Sequence, residues 1–240
     1  MSNDTSDGKG HRVVPHDEWI AARTAFLAKE KEFTRLRDQL SLERRALPWE
    51  AVDKDYVFDG PNGPETLREL FDGRSQLVVY HFMFDPAWDA GCPHCSRWAD
   101  SFNGAIVHLN QRDVTMVAIS RAPFGKLTAY RQRMGWTFKW LSSFGTDFNV
   151  DYQASFTPEE VAAKQAFYNF TVQNPRSSQR EGISVFHQSP NGRLFHTYST
   201  YARGIEPMNV DYQYLDLVPK GRDENGRGPF WVRRHDEYGH

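Results

Sequence analysis

The chain begins polar and then changes abruptly. Residues 1–14 combine charged, Ser and Gly positions and predict a mobile terminus. From 17 to 47 the pattern is different: Trp19, Phe26, Phe33, Leu40 and Leu47 recur every seven positions, with Leu36 between, set among Ala, Glu, Lys and Arg. That spacing predicts a long amphipathic helix ended by Pro48, so that 15–48 form an N-terminal helical extension. An apolar stripe has to pack on something. It can lie across its own domain or form a homodimer contact, although Ala22, Lys29 and Glu43 interrupt the second position of a strict coiled coil.

Beyond Pro48 the period shortens. The run from Tyr56 reads as a short strand, a turn at Asn62-Gly63, a helical turn from Leu67 to Phe71 and a buried strand over 77–84. Cys95, Trp98, Ala99, Phe102, Ile106 and Leu109 then fall on one face of a single helix of about four turns. A strand over 114–120, a helix over 126–134 and an aromatic strand over 138–142 follow. Residues 143–181 read as an insertion with little strand character, holding a helix that starts at Thr157-Pro158-Glu159-Glu160, a capping-box pattern. Strands over 183–187 and 193–199 flank Ser189-Pro190-Asn191-Gly192 as a hairpin. The remainder is irregular, with 221–240 as a C-terminal tail. The order of elements predicts one α/β domain over 49–220, a mixed sheet flanked by helices.

Composition narrows the function classes. With 29 basic against 31 acidic residues and a net charge of −2, no charge excess exists to draw nucleic acid or an anionic membrane. No stretch approaches the roughly 18 apolar residues of a membrane span, and the start of the chain lacks a basic-then-apolar leader pattern, so a cytoplasmic protein is expected. In that compartment two cysteines separated by two residues, Cys92 and Cys95, point to redox chemistry or to part of a metal site rather than to a structural disulfide.

The loop favours the first. Cys92 follows a strand and opens a helix, where free backbone N–H groups and the helix dipole stabilise a thiolate. Pro93 suits the first turn, and His94, if protonated, adds positive charge beside the sulfur. Cys92 would then attack a disulfide, and Cys95, one turn along, would resolve the mixed disulfide. The metal alternative is copper, held by Cys92 and Cys95 with His81 or His196. His187 and His196 face each other if the hairpin turns tightly on Asn191-Gly192, and a three-residue loop separates them. In the tail, Asp236 could orient His235, and a salt-bridged tail accounts for the pair equally well. Tyr80, Phe82, Phe84, Trp88 and Trp98 lie close to the cysteines in sequence and suggest an aromatic-rimmed groove for a peptide or hydrophobic thiol.

Eight ordered blocks, among them "DYVFDGPNGP", "LVVYHFMFDPAWDAGCPHCSRWAD", "FHTYSTYARG" and "WVRRHDEY", resemble the bacterial family of unknown function numbered 899, labelled as predicted thioredoxin-like dithiol–disulfide oxidoreductases. The resemblance runs from Glu18 to Tyr238. It implies a thioredoxin-like fold with Cys92 and Cys95 as the redox pair, no cofactor, and a small-molecule or protein thiol or disulfide as substrate. Cys-Pro-His-Cys is also similar to the loop of periplasmic DsbA-type oxidants. In the thioredoxin fold a proline segment opposite the loop holds the substrate backbone; the matching stretch here places Ile183 and Ser184 there. Peroxiredoxins share the early strands but need a Thr three residues before the reactive cysteine, where this chain has Asp89. The residues thus leave a thiol–disulfide oxidoreductase, a copper protein and a redox-regulated interaction module as readings of different kinds.

Overall fold

The computed structural model describes residues 10–239. The mobile terminus expected over 1–14 falls, for residues 1–9, outside them, as does residue 240 of the tail. The chain divides into two compact units, Met1–Pro48 and Trp49–His240.

The first unit is built on one helix, α1 (His16–Arg45), with Asp17 and Glu18 in its first turn and Arg44 and Arg45 in its last, each matched to the helix dipole. None of its residues is buried, and Trp19, Phe26, Phe33, Leu36 and Leu40 are exposed by half or more.

In the second unit, β1 (Glu50–Ala51) precedes a tight hairpin of β2 (Val57–Gly60) and β3 (Gly63–Thr66), followed by β4 (Gln76–His81). A loop then enters α2 (Pro93–Ala99) and α3 (Phe102–Leu109), after which come β5 (Val114–Ser120), α4 (Phe124–Arg133) and β6 (Trp140–Ser142). The insertion contributes α5 (Phe148–Asp151), α6 (Pro158–Ala163) and a small hairpin, β7 (Ala166–Tyr168) with β8 (Thr171–Gln173). The hairpin β9 (Gly182–Gln188) and β10 (Leu194–Tyr201) and a last short helix, α7 (Val210–Leu215), complete the unit.

Eight strands form one sheet in the order β1-β10-β9-β4-β5-β6-β2-β3, with β4, β5 and β6 parallel and the other pairs antiparallel. Its centre has a recognisable logic. Two parallel strands, β4 and β5, are joined through helices, and an antiparallel hairpin is added beside β4. That is the thioredoxin arrangement. Side chains alternate along β4, so Leu77 and Val79 enter one core with Val117, Ile119, Phe148 and Phe186, while Tyr80 and, just beyond the strand, Phe82 enter the other with Cys95, Phe102, Tyr130 and Trp140. The cysteines therefore belong to one face of the sheet.

Three local points go beyond the sequence. The single helix expected over 95–109 is two, broken at Asp100-Ser101. There the Ser101 hydroxyl donates to the Trp98 carbonyl at 2.8 Å, and the Asp100 carboxylate is drawn off by the Trp136 indole N–H at 2.8 Å and His235 Nδ1 at 2.7 Å. The insertion carries β7 and β8, whose three-residue strands are too short for a periodic signal. In contrast, α6 starts where its capping box predicts: Thr157 Oγ1 accepts the Glu160 N–H at 3.2 Å and Glu160 Oε2 accepts the Thr157 N–H at 2.8 Å. The third is a register that the sequence leaves open. Ser189 N–H bonds to the Arg193 carbonyl at 3.0 Å across a three-residue turn that needs Gly192 at φ 83°. His187 consequently pairs with Phe195 and His196 with Phe186, and the two histidines do not oppose each other.

Candidate functional site

The site begins where β4 runs out. Phe82 N–H still bonds to the Ile119 carbonyl at 2.9 Å, and the chain then loops outward until Cys92 N–H returns to the Met83 carbonyl at 3.0 Å. The residue before Cys92 is clamped. Arg234 Nε and Nη2 donate to the Gly91 carbonyl at 3.1 and 2.8 Å, and a Cβ at Gly91 would come within 2.6 Å of the Phe82 ring and 2.8 Å of the Tyr130 ring, so only glycine fits. Cys92 is the N-cap of α2 with Pro93 in the first turn. Ser96 Oγ donates to the Cys92 carbonyl at 2.8 Å and accepts from the Tyr130 hydroxyl at 2.8 Å, which ties the helix start to α4. Cys95, one turn on, is buried, and its sulfur receives the Met83 N–H at 3.4 Å. Both cysteines are free thiols.

The two thiols are driven apart. The Cys95 thiol, hydrogen-bonded to the Cys92 sulfur, lowers the Cys92 pKa from its ordinary value, and the Cys95 and His94 backbone N–H groups act in the same sense against the upward push of burial. Burial, and then the neighbouring Cys92, raise Cys95 well above an ordinary thiol. The buried Tyr80 hydroxyl faces the Cys95 sulfur and has no nitrogen or oxygen partner. For His94 the condition of protonation is disfavoured: burial, helped by Arg97, lowers its pKa from the ordinary imidazole value, so at neutral pH the uncharged ring predominates. The groups that stabilise the Cys92 thiolate are the Cys95 thiol and backbone N–H donors rather than an imidazolium.

A groove of about 760 Å³ opens over the pair. One wall is Met83, Cys92, His94, Cys95, Arg97 and Trp98; the other comes from the end of the insertion, with Arg176, Arg180 and Glu181, and from the segment after β10, with Arg203, Glu206, Asn209 and Tyr212. Arg97 is fixed between these parts, its Nε on Asp211 at 2.5 Å and its guanidinium 3.9 Å over the Tyr212 ring.

The structure gathers Cys92, His94 and Cys95 in this groove and leaves the other expected substrate contacts out. Trp88 and Ile183 pack with the aromatic core beneath the loop. Ser184 is fully buried and turns to the opposite face, where its Oγ meets His81 Nε2 at 2.9 Å and Ser199 Oγ at 2.9 Å. The segment that does face the cysteines is Arg180-Glu181, just before β9. The copper set does not assemble either. His81 stacks on Phe148 at 5.5 Å with Nδ1 at 3.2 Å from Asn149 Oδ1, and the half-buried His196 holds Ser199 Oγ at 2.7 Å and Glu50 Oε2 at 3.2 Å, both on the face of the sheet opposite the cysteines. Among the described residues no group of three or more His, Cys, Asp or Glu side chains is placed to hold a metal ion. In the tail, His235 Nδ1 is hydrogen-bonded to Asp100 and Asp236 is ion-paired with Arg133, each at 2.7 Å, so the two neighbours do not serve each other.

Sequence spacing does not reveal Arg180, Glu181, Asn209 or Arg234 as site residues, because the fold brings them to the cysteines from distant segments. Arg97 is the exception. It lies on the same short helix as the pair and was available to inspection.

No helix among the described residues is long and apolar enough to cross a membrane. Comparison with curated proteins finds no match. Among solved structures the chain is similar to peroxidoxin BcpB from Mycobacterium tuberculosis, at 14% identity over 68% of this chain and 93% of that one, with a TM-score of 0.40. It is similar to the bacterioferritin comigratory protein of Xanthomonas campestris, at 11% identity over 68% of this chain and 94% of that one, with a TM-score of 0.43. It is also similar to the hypothetical protein SMc02350 from Sinorhizobium meliloti, at 15% identity over 62% and 68%, with a TM-score of 0.39. The family model of bacterial proteins of unknown function DUF899 matches residues 8–238, nearly the whole sequence, and the chain belongs to that family.

Proposed function

We propose that the protein is a dithiol–disulfide oxidoreductase working through Cys92 and Cys95. The observation that carries this reading is the opposed pair of thiols at the start of α2: one lowered in pKa and facing a groove, the other buried and raised, with a hydrogen bond between them. The Cys92 thiolate attacks one sulfur of a substrate disulfide, forming a mixed disulfide and expelling the first substrate thiolate. Cys95 then loses its proton and attacks the Cys92 sulfur, closing the Cys92–Cys95 disulfide and expelling the second. Two electrons pass from the protein dithiol to the substrate, and the reverse sequence oxidises a substrate dithiol.

Burial of Cys95 sets the order of attack, because the sulfur whose pKa is lowered lies at the groove while the other is buried with its pKa raised. Arg234 and the Gly91 contact hold the loop so that the Cys92 sulfur meets the N–H groups of α2. The test is exchange with a model disulfide. Cys92→Ser should abolish it, and Cys95→Ser should accumulate a mixed disulfide visible in the intact mass. Unchanged turnover in Cys92→Ser would remove the mechanism.

A further inference from the structure

The groove over the cysteines carries an uneven set of charges. Arg97, Arg176, Arg180 and Arg203 line it against only Glu181 and Glu206. Three of the arginines have partners: Arg97 on Asp211, Arg180 on Glu181 at 3.6 Å and Arg203 on Glu206 at 3.0 Å. Glu206 is shared further with Arg222 at 2.6 Å, so it cannot neutralise Arg203 alone. Arg176 is exposed and has no ion pair among the described residues. The His94 imidazole, neutral at ordinary pH, neither adds to this charge nor offsets it.

A second observation concerns polar atoms without partners. Arg97 Nη2, Trp98 Nε1 and Asn209 Oδ1 are buried and unpaired, and all three side chains line the groove. The Arg97 side chain is 9% exposed and Asn209 2%. Buried polar groups without partners are uncommon and costly. Two donors and one acceptor beside an excess of guanidinium match a molecule that presents carboxylate oxygens together with an N–H. The volume of the groove lies within the range of about 300–1,000 Å³ found for small-molecule sites.

We infer that the groove selects small disulfides bearing carboxylates, with Arg97 on the wall of the cysteines and Arg176 on the wall across from it drawing the carboxylate and the substrate sulfur laid on Cys92. This rests on the dithiol–disulfide reading and adds the substrate class to it. The exchange is the one written above: the carboxylate-bearing disulfide is reduced to two thiols as Cys92 and Cys95 are oxidised.

The experiment compares three disulfides that differ in charge: dithiodipropionate, hydroxyethyl disulfide and cystamine, which are anionic, neutral and cationic. Each initial rate with the reduced protein is divided by the rate of dithiothreitol with the same disulfide, which removes intrinsic reactivity. The corrected rate should fall from the anion to the cation by about tenfold or more at low ionic strength, and the span should shrink with added salt. Arg176→Glu, at an exposed position, should compress or invert that order. Turnover of all three probes at equal corrected rates, or a preference for cystamine, would overturn the inference while leaving the dithiol chemistry standing. Absence of Cys92-dependent turnover on every probe would overturn both.

Discussion

His81 makes the protein sensitive to acid in a way that can be worked out in advance. It is 1% exposed, its Nδ1–H donates to Asn149 Oδ1 and its Nε2 accepts from Ser184, a tautomer assigned from the acceptor character of the amide oxygen. A second proton at Nε2 would require the Ser184 hydroxyl to turn its hydrogen to Ser199 Oγ, 2.9 Å away, and would leave a charged ring buried with no carboxylate bonded to it. Burial, opposed by the Asn149 bond and helped by His196, lowers the His81 pKa from 6.5 to about 4. The unfolded chain therefore binds this proton first as pH falls. Stability is fully present above about pH 6.5 and is lost progressively as pH drops through about 4, for a total of about 3 kcal/mol, of which roughly 2 kcal/mol is gone by about pH 5. The assay is urea unfolding of the wild type and of His81→Gln at about pH 7.5 and about pH 5. Gln keeps an amide that can bond to Asn149 and Ser184 but does not titrate. With a urea slope of about 2 kcal/mol per molar, the wild-type midpoint should fall by about 1 M more than that of the variant between the two pH values. Equal acid losses in the two proteins would refute the argument, because the other titrating groups are common to both.

Further expectations concern the cysteine loop. Tyr80→Phe removes the hydroxyl beside Cys95 and should slow closure of the Cys92–Cys95 disulfide by about tenfold, the worth of one hydrogen bond to a charged group, with mixed disulfide accumulating in rapid-quench experiments; an unchanged rate would show that Tyr80 does not support the Cys95 thiolate. His94→Gln should leave the Cys92 titration within about half a pH unit, because the imidazole is neutral and its backbone N–H is retained; a rise of a full unit would restore a charged histidine to the account. Gly91→Ala should destabilise the fold by about 1–3 kcal/mol through the clash with the Phe82 and Tyr130 rings, measured as a lowered urea midpoint, and a neutral effect would mean the loop can yield there.

Much of this architecture is legible in the sequence, and the reason lies in periodicity. The near-continuous apolar run in 114–120 reports a strand buried on both faces and the helical spacing after Cys95 reports burial on one, and those patterns are local. The capping box at Thr157 and Glu160 is local as well. Where the outcome depends on one residue of register or on a distant partner, the pattern says less. A turn longer by a single residue separates His187 from His196, and Asp100 breaks a helix because Trp136 and His235, far along the chain, claim its carboxylate. The protonation of His94 is left open by the sequence for the same reason: helix position is readable, but burial beside Arg97 is not. Ser184 fell on the expected strand yet on its far face, so the groove wall passed to Arg180-Glu181 a few residues earlier. Cys92 and Cys95 were legible because strand, loop and helix start are contiguous.

The stripe on α1 is the clearest feature that the sequence marked and the thiol chemistry does not use. Its apolar residues are exposed along the helix, and the two expectations for them, packing across their own domain or a contact with a second copy of the chain, are separated by sedimentation across a range of protein concentrations.

The central claim is the division of labour between the two thiols, and thiolate ultraviolet absorbance followed from acid to alkaline pH tests it most directly on reduced, metal-free protein. One thiol should ionise below the free-thiol value of about 8.5 and be lost in Cys92→Ser, while the other should ionise only well above it and be lost in Cys95→Ser. Two thiols titrating together near the free value, or a low-pKa thiol that survives Cys92→Ser, would contradict the account.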